Sequence, residues 1–366
     1  MRTVRTNENA RASNSFNTLR LIGALIVLIG HAYIITGTNQ LELGTIPLHT
    51  VGVCIFFSIS GYLITQSWLS DNNVVRYLFR RIIRIVPGLV VAVLGTSFLI
   101  GPLATTLTPH AYFSDSLVYQ YAIRNSFMLT TWTLPGVFVN IPIHSQVNGS
   151  LWTLPMEFLL YLGTPLVVWA ALARPRLAFW ALVVAAVSIC YANLHFRSVS
   201  GFSFHGLSLG WGIGLAPYFA MGAALRLANF GTLSERTRST AFGVACACVA
   251  AWALFPFPIL TGLIVVAISI AVLSLGLSSW LHASAIDNLG DLSYGTYLWA
   301  FPIQQYVMLK TSSGPISNIA ISLPIVAILA FASWHLIERP ALRLKPKRKA
   351  LMSDSSSAAP VAQTLP

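Results

Sequence analysis

Arg20 and His31 lie eleven residues apart in an apolar run, Thr18 to Gly37, that holds no other charged side chain. At about 100° and 1.5 Å per residue, both project from one helix face, about 16 Å apart. An ionisable group at bilayer depth costs on the order of 3 kcal/mol on insertion scales, so it normally faces protein or a wet cavity and marks a reaction site or a pathway. An imidazole there can act as a general base or a nucleophile, and a guanidinium can hold an anion. The structural alternative is a packing histidine and an arginine snorkelling at the membrane edge.

Arg76, Arg80, Arg81 and Arg84 form a second basic group in NNVVRYLFRRIIRIVP. Helical spacing puts Arg80, Arg81 and Arg84 on one face and Phe79, Ile82 and Ile83 on another, which predicts an amphipathic cytoplasmic element ended by Pro87. Clustered guanidiniums suit a multiply charged phosphate ligand and equally suit anionic lipid headgroups; their place on the same side as Arg20 favours the ligand.

Glu157 is the carboxylate expected inside a spanning segment, in Ser150-Leu-Trp152-Thr-Leu-Pro-Met-Glu157. Ser150 reads as an N-cap and Pro155 as a first-turn proline, so Glu157 is expected less than two turns below the outer boundary. It can orient or deprotonate a substrate hydroxyl, with Trp152 offering an apolar face to a sugar ring. The alternatives are an interfacial tryptophan anchor and a glutamate paired with a buried cation such as Arg124 or Arg197. Ser60, in a Ser-Gly pair, reads as a helix-packing point, and Glu338 and His335 as partners for the arginine cluster.

These groups need elements to carry them. Of 366 residues, 55% are hydrophobic and 9% charged, outside the range of soluble domains and typical of a polytopic membrane protein. Apolar stretches at about 18–37, 48–69, 86–107, 151–172, 177–194, 207–227, 239–255, 258–280, 289–310 and 315–337 predict ten transmembrane helices and an all-α fold. Residues 108–149 read as an external loop with an interfacial helix around Leu117–Met128. With both termini inside, 19 of the 22 Lys and Arg residues fall on the cytoplasmic side, leaving Arg124, Arg197 and Lys310 outside. The net charge of +12 therefore reflects orientation and anionic lipid and calls for no nucleic-acid partner. Residues 1–14 read as a polar cytoplasmic N-terminus without a cleavable signal, and 346–366 as a disordered cytoplasmic tail. Cys54, Cys190, Cys246 and Cys248 read as buried small hydrophobes, and no metal site is expected.

Taken in order, these motifs resemble the acyltransferase-3 family of integral membrane acyltransferases that modify bacterial surface glycans. The resemblance rests on Arg20-x10-His31, Gly52-Val-Cys-Ile-Phe56-Phe57-Ser-Ile-Ser60-Gly61, Arg80-Arg81-x2-Arg84-Ile-Val-Pro87, Ser150-Leu-Trp152-x-Leu-x2-Glu157, Leu289-Gly290-x-Leu-Ser293-Tyr294-Gly-x-Tyr297-Leu-Trp299-x-x-Pro302 and Glu338-Arg-Pro340. It covers about residues 15–345, the expected transmembrane acyltransferase domain. It implies His31 as catalytic base, Arg20 as an acyl-CoA contact, Arg81 and Arg84 as donor support with Arg80 beside them, and Glu157 as the outward acidic residue. Asn17 stands where the family often has Asp, Ala300 replaces a common histidine, and Gln304 and Gln305 follow one turn later. The extra soluble esterase-like domain of some members is not expected in this chain. The implied reaction moves an acyl group, acetyl first, from cytoplasmic acyl-CoA to a hydroxyl of an extracytoplasmic or lipid-linked glycan, in a bacterial inner membrane and with no bound cofactor. The competing readings are a glycan or lipid flippase built on intramembrane Arg, His and Glu, and a sensor using His31 as a pH switch.

Overall fold

The computed structural model describes residues 14–346, except 145, 196–202, 205, 206, 258, 259 and 261. The expected N-terminal segment, most of the expected tail and Arg197 lie outside the described residues. The first helix, α1 (Phe16–Ile35), leads through a short antiparallel hairpin, β1 (Glu42–Leu43) and β2 (Ile46–Pro47), into α2 (Leu48–Ser70). Next comes α3 (Val74–Gly95), prolonged by a π-helical turn at Thr96–Ile100 and the short α4 (Gly101–Ala104). Among the described residues, seven helical stretches are long and apolar enough to cross a membrane: Phe16–Ile35, Leu48–Ser70, Val74–Ala104, Thr153–Ala173, Pro175–Ala192, Glu235–Leu254 and Pro315–Leu342. The other three expected spans are also helical, but Gly212–Leu227 and Ile264–Gly276 are shorter, and Ser293–Thr311 carries Gln304, Gln305 and Lys310.

The basic segment departs from expectation. It is no separate amphipathic element ended at Pro87 but the first three turns of α3, which begins where the Asn73 side chain accepts from the Arg76 backbone N–H at 2.9 Å. Pro87 sits within the helix, removing one backbone bond, and burial of Ile83, Ile85 and Leu89 on the inward face outweighs that local cost. Tyr294 packs over the same turn at Gly88, and its hydroxyl donates to the Ile85 carbonyl at 2.8 Å.

The segment expected as an external loop contains α5 (Pro109–Ser114) and α6 (Ser116–Ser126), the latter at the place of the predicted interfacial helix. It is closely packed: Tyr112 is buried and donates to the Ser97 carbonyl exposed by the π turn, and the Asn125 side chain ties residues 121 and 131 together. Beyond it run α7 (Thr153–Ala173), α8 (Pro175–His195), α9 (Leu209–Leu227), α10 (Glu235–Leu254), α11 (Ile264–Gly276), α12 (Ser284–Leu289), α13 (Ser293–Thr311) and α14 (Pro315–Ser333). A second π turn, Trp334–Glu338, and α15 (Arg339–Leu342) close the described chain. Of the four cysteines, all free, Cys54 and Cys190 are buried as expected, whereas Cys246 and Cys248 lie exposed on α10.

Where water supplies no drive between apolar helices, small residues and polar stitches fix their approach. A Cβ at Gly222 of α9 would come within 2.2 Å of the Ser58 carbonyl oxygen of α2, so the two backbones touch there. The Gln304 amide of α13 donates to the Leu28 carbonyl of α1 at 2.9 Å, and Asn318 of α14 donates to the Gln304 carbonyl at 3.0 Å. Gly222→Val is expected to destabilise the protein by about 1–3 kcal/mol through overpacking, measured as an earlier thermal transition in detergent.

Candidate active site

One cavity of about 550 Å³ collects most of the expected chemistry. Its walls include Arg20 from α1, Ser60 and Ser67 from α2, Arg80, Arg81 and Arg84 from α3, Glu157 and Tyr161 from α7, Asp291 and Tyr297 at α13, and Lys345 after α15. Five cations thus face two carboxylates across the cavity wall.

The cations are unequally neutralised. Arg84 pairs with Asp291 and lies 3.9 Å from Glu338, while Arg20 lies 3.8 Å from Asp291. Glu338, expected as a partner of this cluster, is buried where the π turn swings it inward, and it accepts from Ser333 at 2.9 Å. Arg76 and Arg80 both bind Asp71, at 2.7–3.0 Å. Their hydrogen bonds, from Arg76 first and Arg80 second, hold the Asp71 carboxyl well below the usual carboxylate range. Arg81 has no carboxylate partner among the described residues; it reaches the Ser67 hydroxyl at 3.5 Å and lies 5.8 Å from the Tyr77 ring centroid.

Glu157 joins this cavity and not an outer rim. Its Oε1 accepts from Ser60 at 2.7 Å and from Tyr161, one turn further along α7. Ser60, expected as a packing point, is therefore a polar partner of the glutamate. Sequence reasoning missed Tyr161, although its i,i+4 spacing from Glu157 was the available signal. Arg124, considered as a partner for Glu157, instead donates to Thr131 at 3.1 Å.

His31 does not line this cavity. It is buried, stacked on His49 at a ring-centroid distance of 5.3 Å and met edge-on by Phe301 at 5.0 Å. Nδ1 of each histidine is buried without a hydrogen-bond partner in the described structure. A Cβ at Gly30 would fall 2.4 Å from the His49 backbone nitrogen, so only glycine admits this close crossing of α1 and α2. Arg20 to His31 on α1, and His49 to Ser60 on α2, each span eleven residues, so the histidine layer stands about 16 Å from the Arg20–Ser60 layer. Between them, on α13, Tyr297 donates to the Ser150 carbonyl at 2.9 Å, lies 2.6 Å from the Thr153 hydroxyl and packs edge-on against Phe56. Trp152 is half-buried against the core beside this layer.

Asn17 donates to Asp287 at 3.0 Å, and His335 bonds within its own helix to the Phe331 carbonyl. Gln305 donates to the Ile143 and Gln146 carbonyls at 2.9 Å, so Gln304 and Gln305 join helices and loops instead of replacing the imidazole absent at Ala300.

A family model described as an acyltransferase domain matches residues 13–336. The chain belongs to the acyltransferase-3 family. This membrane acyltransferase is 30% identical over 345 residues to an "O-acetyl transferase" of Shigella phage Sf6, covering 92% of this chain and 98% of that one. It is 28% identical to "Nodulation protein 10" of Rhizobium leguminosarum bv. viciae, over 91% and 94% of the two chains. It is also 26% identical to a "Putative peptidoglycan O-acetyltransferase" of Bacillus subtilis (strain 168), covering 79% of this chain and 50% of that protein. No solved structure matches the chain.

The ion pairs of the acyltransferase predict two contrasting variants. Arg84→Ala leaves Glu338 without a cation and Asp291 with Arg20 alone at 3.8 Å, and is expected to cost on the order of 3 kcal/mol, whereas Arg81→Ala strands no carboxylate and is expected to cost about 1 kcal/mol or less, both by thermal unfolding in detergent. Because the folded Asp71 carboxyl is depressed, its stabilisation is complete above the unfolded value of about 4 and is lost as pH falls below it. Asp71→Asn is expected to flatten the fall in thermal stability on acidification through that range.

Proposed function

We propose that this acyltransferase moves an acyl group, acetyl first, from cytoplasmic acyl-CoA to a hydroxyl of an extracytoplasmic or lipid-linked glycan. In this reading it is a bacterial inner-membrane protein whose ten helices all span, with both termini cytoplasmic. The observation that carries the reading is the basic cavity, where Arg20, Arg80, Arg81, Arg84 and Lys345 converge and Arg81 lacks a carboxylate partner among the described residues. Planar guanidinium forks suit phosphate oxygens, and the nucleotide of acyl-CoA carries several. Support for an O-acetyl product comes from the relatives named for O-acetyl transfer.

Arg81 and Lys345, with Arg20 and Arg84, hold the donor phosphates, and the pantetheine arm extends along α1 toward His31. There His31 serves as general base. The acceptor oxygen attacks the thioester carbonyl, a C–O bond forms, the C–S bond breaks, and the hydroxyl proton passes by way of the imidazole to the departing CoA sulfur. The unpartnered Nδ1 of His31 supports an available imidazole, and Trp152 is the proposed contact for the acceptor sugar. Phe56, Tyr297 and Phe301 must part for the thioester to reach the imidazole.

Mass spectrometry of surface glycans from cells expressing the intact chain or His31→Ala, at matched membrane levels, tests the reading. An added acyl mass is expected only with intact His31, with transfer rates about 10²-fold or more lower in the variant. Equal acylation by both forms would overturn the role of His31, and an intact protein that consumes no acyl-CoA in purified membranes would overturn the donor.

A further inference from the structure

The sequence pattern and the family resemblance both direct Glu157 toward the acceptor side of the membrane, but its surroundings point elsewhere. Glu157 shares its cavity with every arginine of the cluster except Arg76, and with Lys345. Both of its recorded hydrogen bonds, from Ser60 and Tyr161, go to the same oxygen, Oε1. Oε2 takes no hydrogen bond from any described residue and is not among the atoms sealed from solvent, so it presents free lone pairs to the cavity. A carboxylate clamped on one oxygen and open on the other is a ready acceptor for an N–H or O–H donor.

Two chemistries can supply that donor: a sugar hydroxyl or an amide N–H of the pantetheine arm. Their depths along α2 differ. Ser60, which holds Glu157, lies eleven residues and about 16 Å along α2 from His49, the residue stacked on His31. An acceptor hydroxyl whose proton is taken at His31 is out of reach of Glu157. An arm reaching from the arginines to His31 has to pass Glu157, and that arm carries two amides and no charge. Ser67, beside Arg81, lies on the same face of α2 as Ser60, two turns and about 10 Å away, so the phosphate end and the glutamate are successive stations along one wall.

We infer that Glu157, clamped by Ser60 and Tyr161, belongs to the donor subsite and accepts an amide N–H of the pantetheine arm through Oε2. This rests on the reading of acyl-CoA as donor. It makes Glu157 a binding residue that seats the thioester, with no part in proton transfer to or from the acceptor.

Binding of acetyl-CoA and of 3′,5′-ADP, which keeps phosphates of the donor and lacks the arm, is measured by calorimetry on the purified full-length protein in detergent. The forms compared are wild type, Glu157→Gln, Ser60→Ala and Arg81→Ala. Glu157→Gln is expected to weaken acetyl-CoA about tenfold or more and to leave 3′,5′-ADP unchanged, because a hydrogen bond to a charged acceptor is lost only where the arm lies. Ser60→Ala is expected to act in the same direction more weakly, and Arg81→Ala to weaken both ligands. Retained 3′,5′-ADP binding certifies that the glutamate variants are folded. In transfer assays, Glu157→Gln is expected to raise the KM for acetyl-CoA and leave the KM for the acceptor unchanged. Unchanged acetyl-CoA affinity in Glu157→Gln, or a rise confined to the acceptor KM, overturns the assignment while acyl-CoA stands as donor. A wild-type protein that binds neither ligand overturns both.

Discussion

Packing several guanidiniums into one low-dielectric cavity is the constraint on which the rest of the architecture turns. Without counter-charges, Arg20, Arg80, Arg81, Arg84 and Lys345 would repel one another and push α1, α3 and the last turns of the described chain apart. The carboxylates that prevent this come from scattered places: Asp71 from the connection between α2 and α3, Asp291 from the approach to α13, and Glu338 from a π turn. Arg84 and Asp291 are 207 residues apart in the chain, so the neutralising contact is also a long-range tie. Neutralisation stops short of completion. Among the described residues, three carboxylates hold four arginines, while Arg81 and Lys345 line the cavity without a carboxylate partner, a surplus of positive charge that favours an anionic ligand.

A second constraint sets distances along the helices. Apolar helices in lipid gain little from burying apolar surface against one another, so their register depends on small residues and on hydrogen bonds. Gly30 seats the His49 backbone against α1, Gly222 seats α9 on α2, and Gln304 bonds the Leu28 carbonyl. These contacts hold the imidazole layer and the Arg20–Ser60 layer on the same pair of helices, α1 and α2, but about 16 Å apart. The α13 helix, which lacks an imidazole at Ala300, instead contributes Phe301 against His31, and the second imidazole comes from α2. Tyr297 and Phe56 occupy the space between the layers, so communication between them requires either a ligand long enough to bridge or rings that move.

By itself, the chain determined the polytopic helical character, the pairing of Arg20 with His31 on one face, and the placement of Arg80, Arg81 and Arg84 on the same side as Arg20, because these follow from composition, the distribution of basic residues and the period of 3.6 residues. It also exposed the family, through motifs that keep their order even where Asn17 and Ala300 depart from pattern. Tertiary structure decided what helical period cannot encode. Pro87 lies inside a helix because buried neighbours outweigh a local breaking preference, and the basic segment consequently forms part of a 31-residue helical stretch. Glu157 lies with the arginines and not beside His31, because depth depends on how α7 packs against α2 and α3, where Tyr77 donates to the Tyr161 carbonyl at 2.9 Å and Ser60 meets the carboxylate. Distance along a helix can be read from residue numbers; distance between helices is set by contacts among residues far apart in the chain.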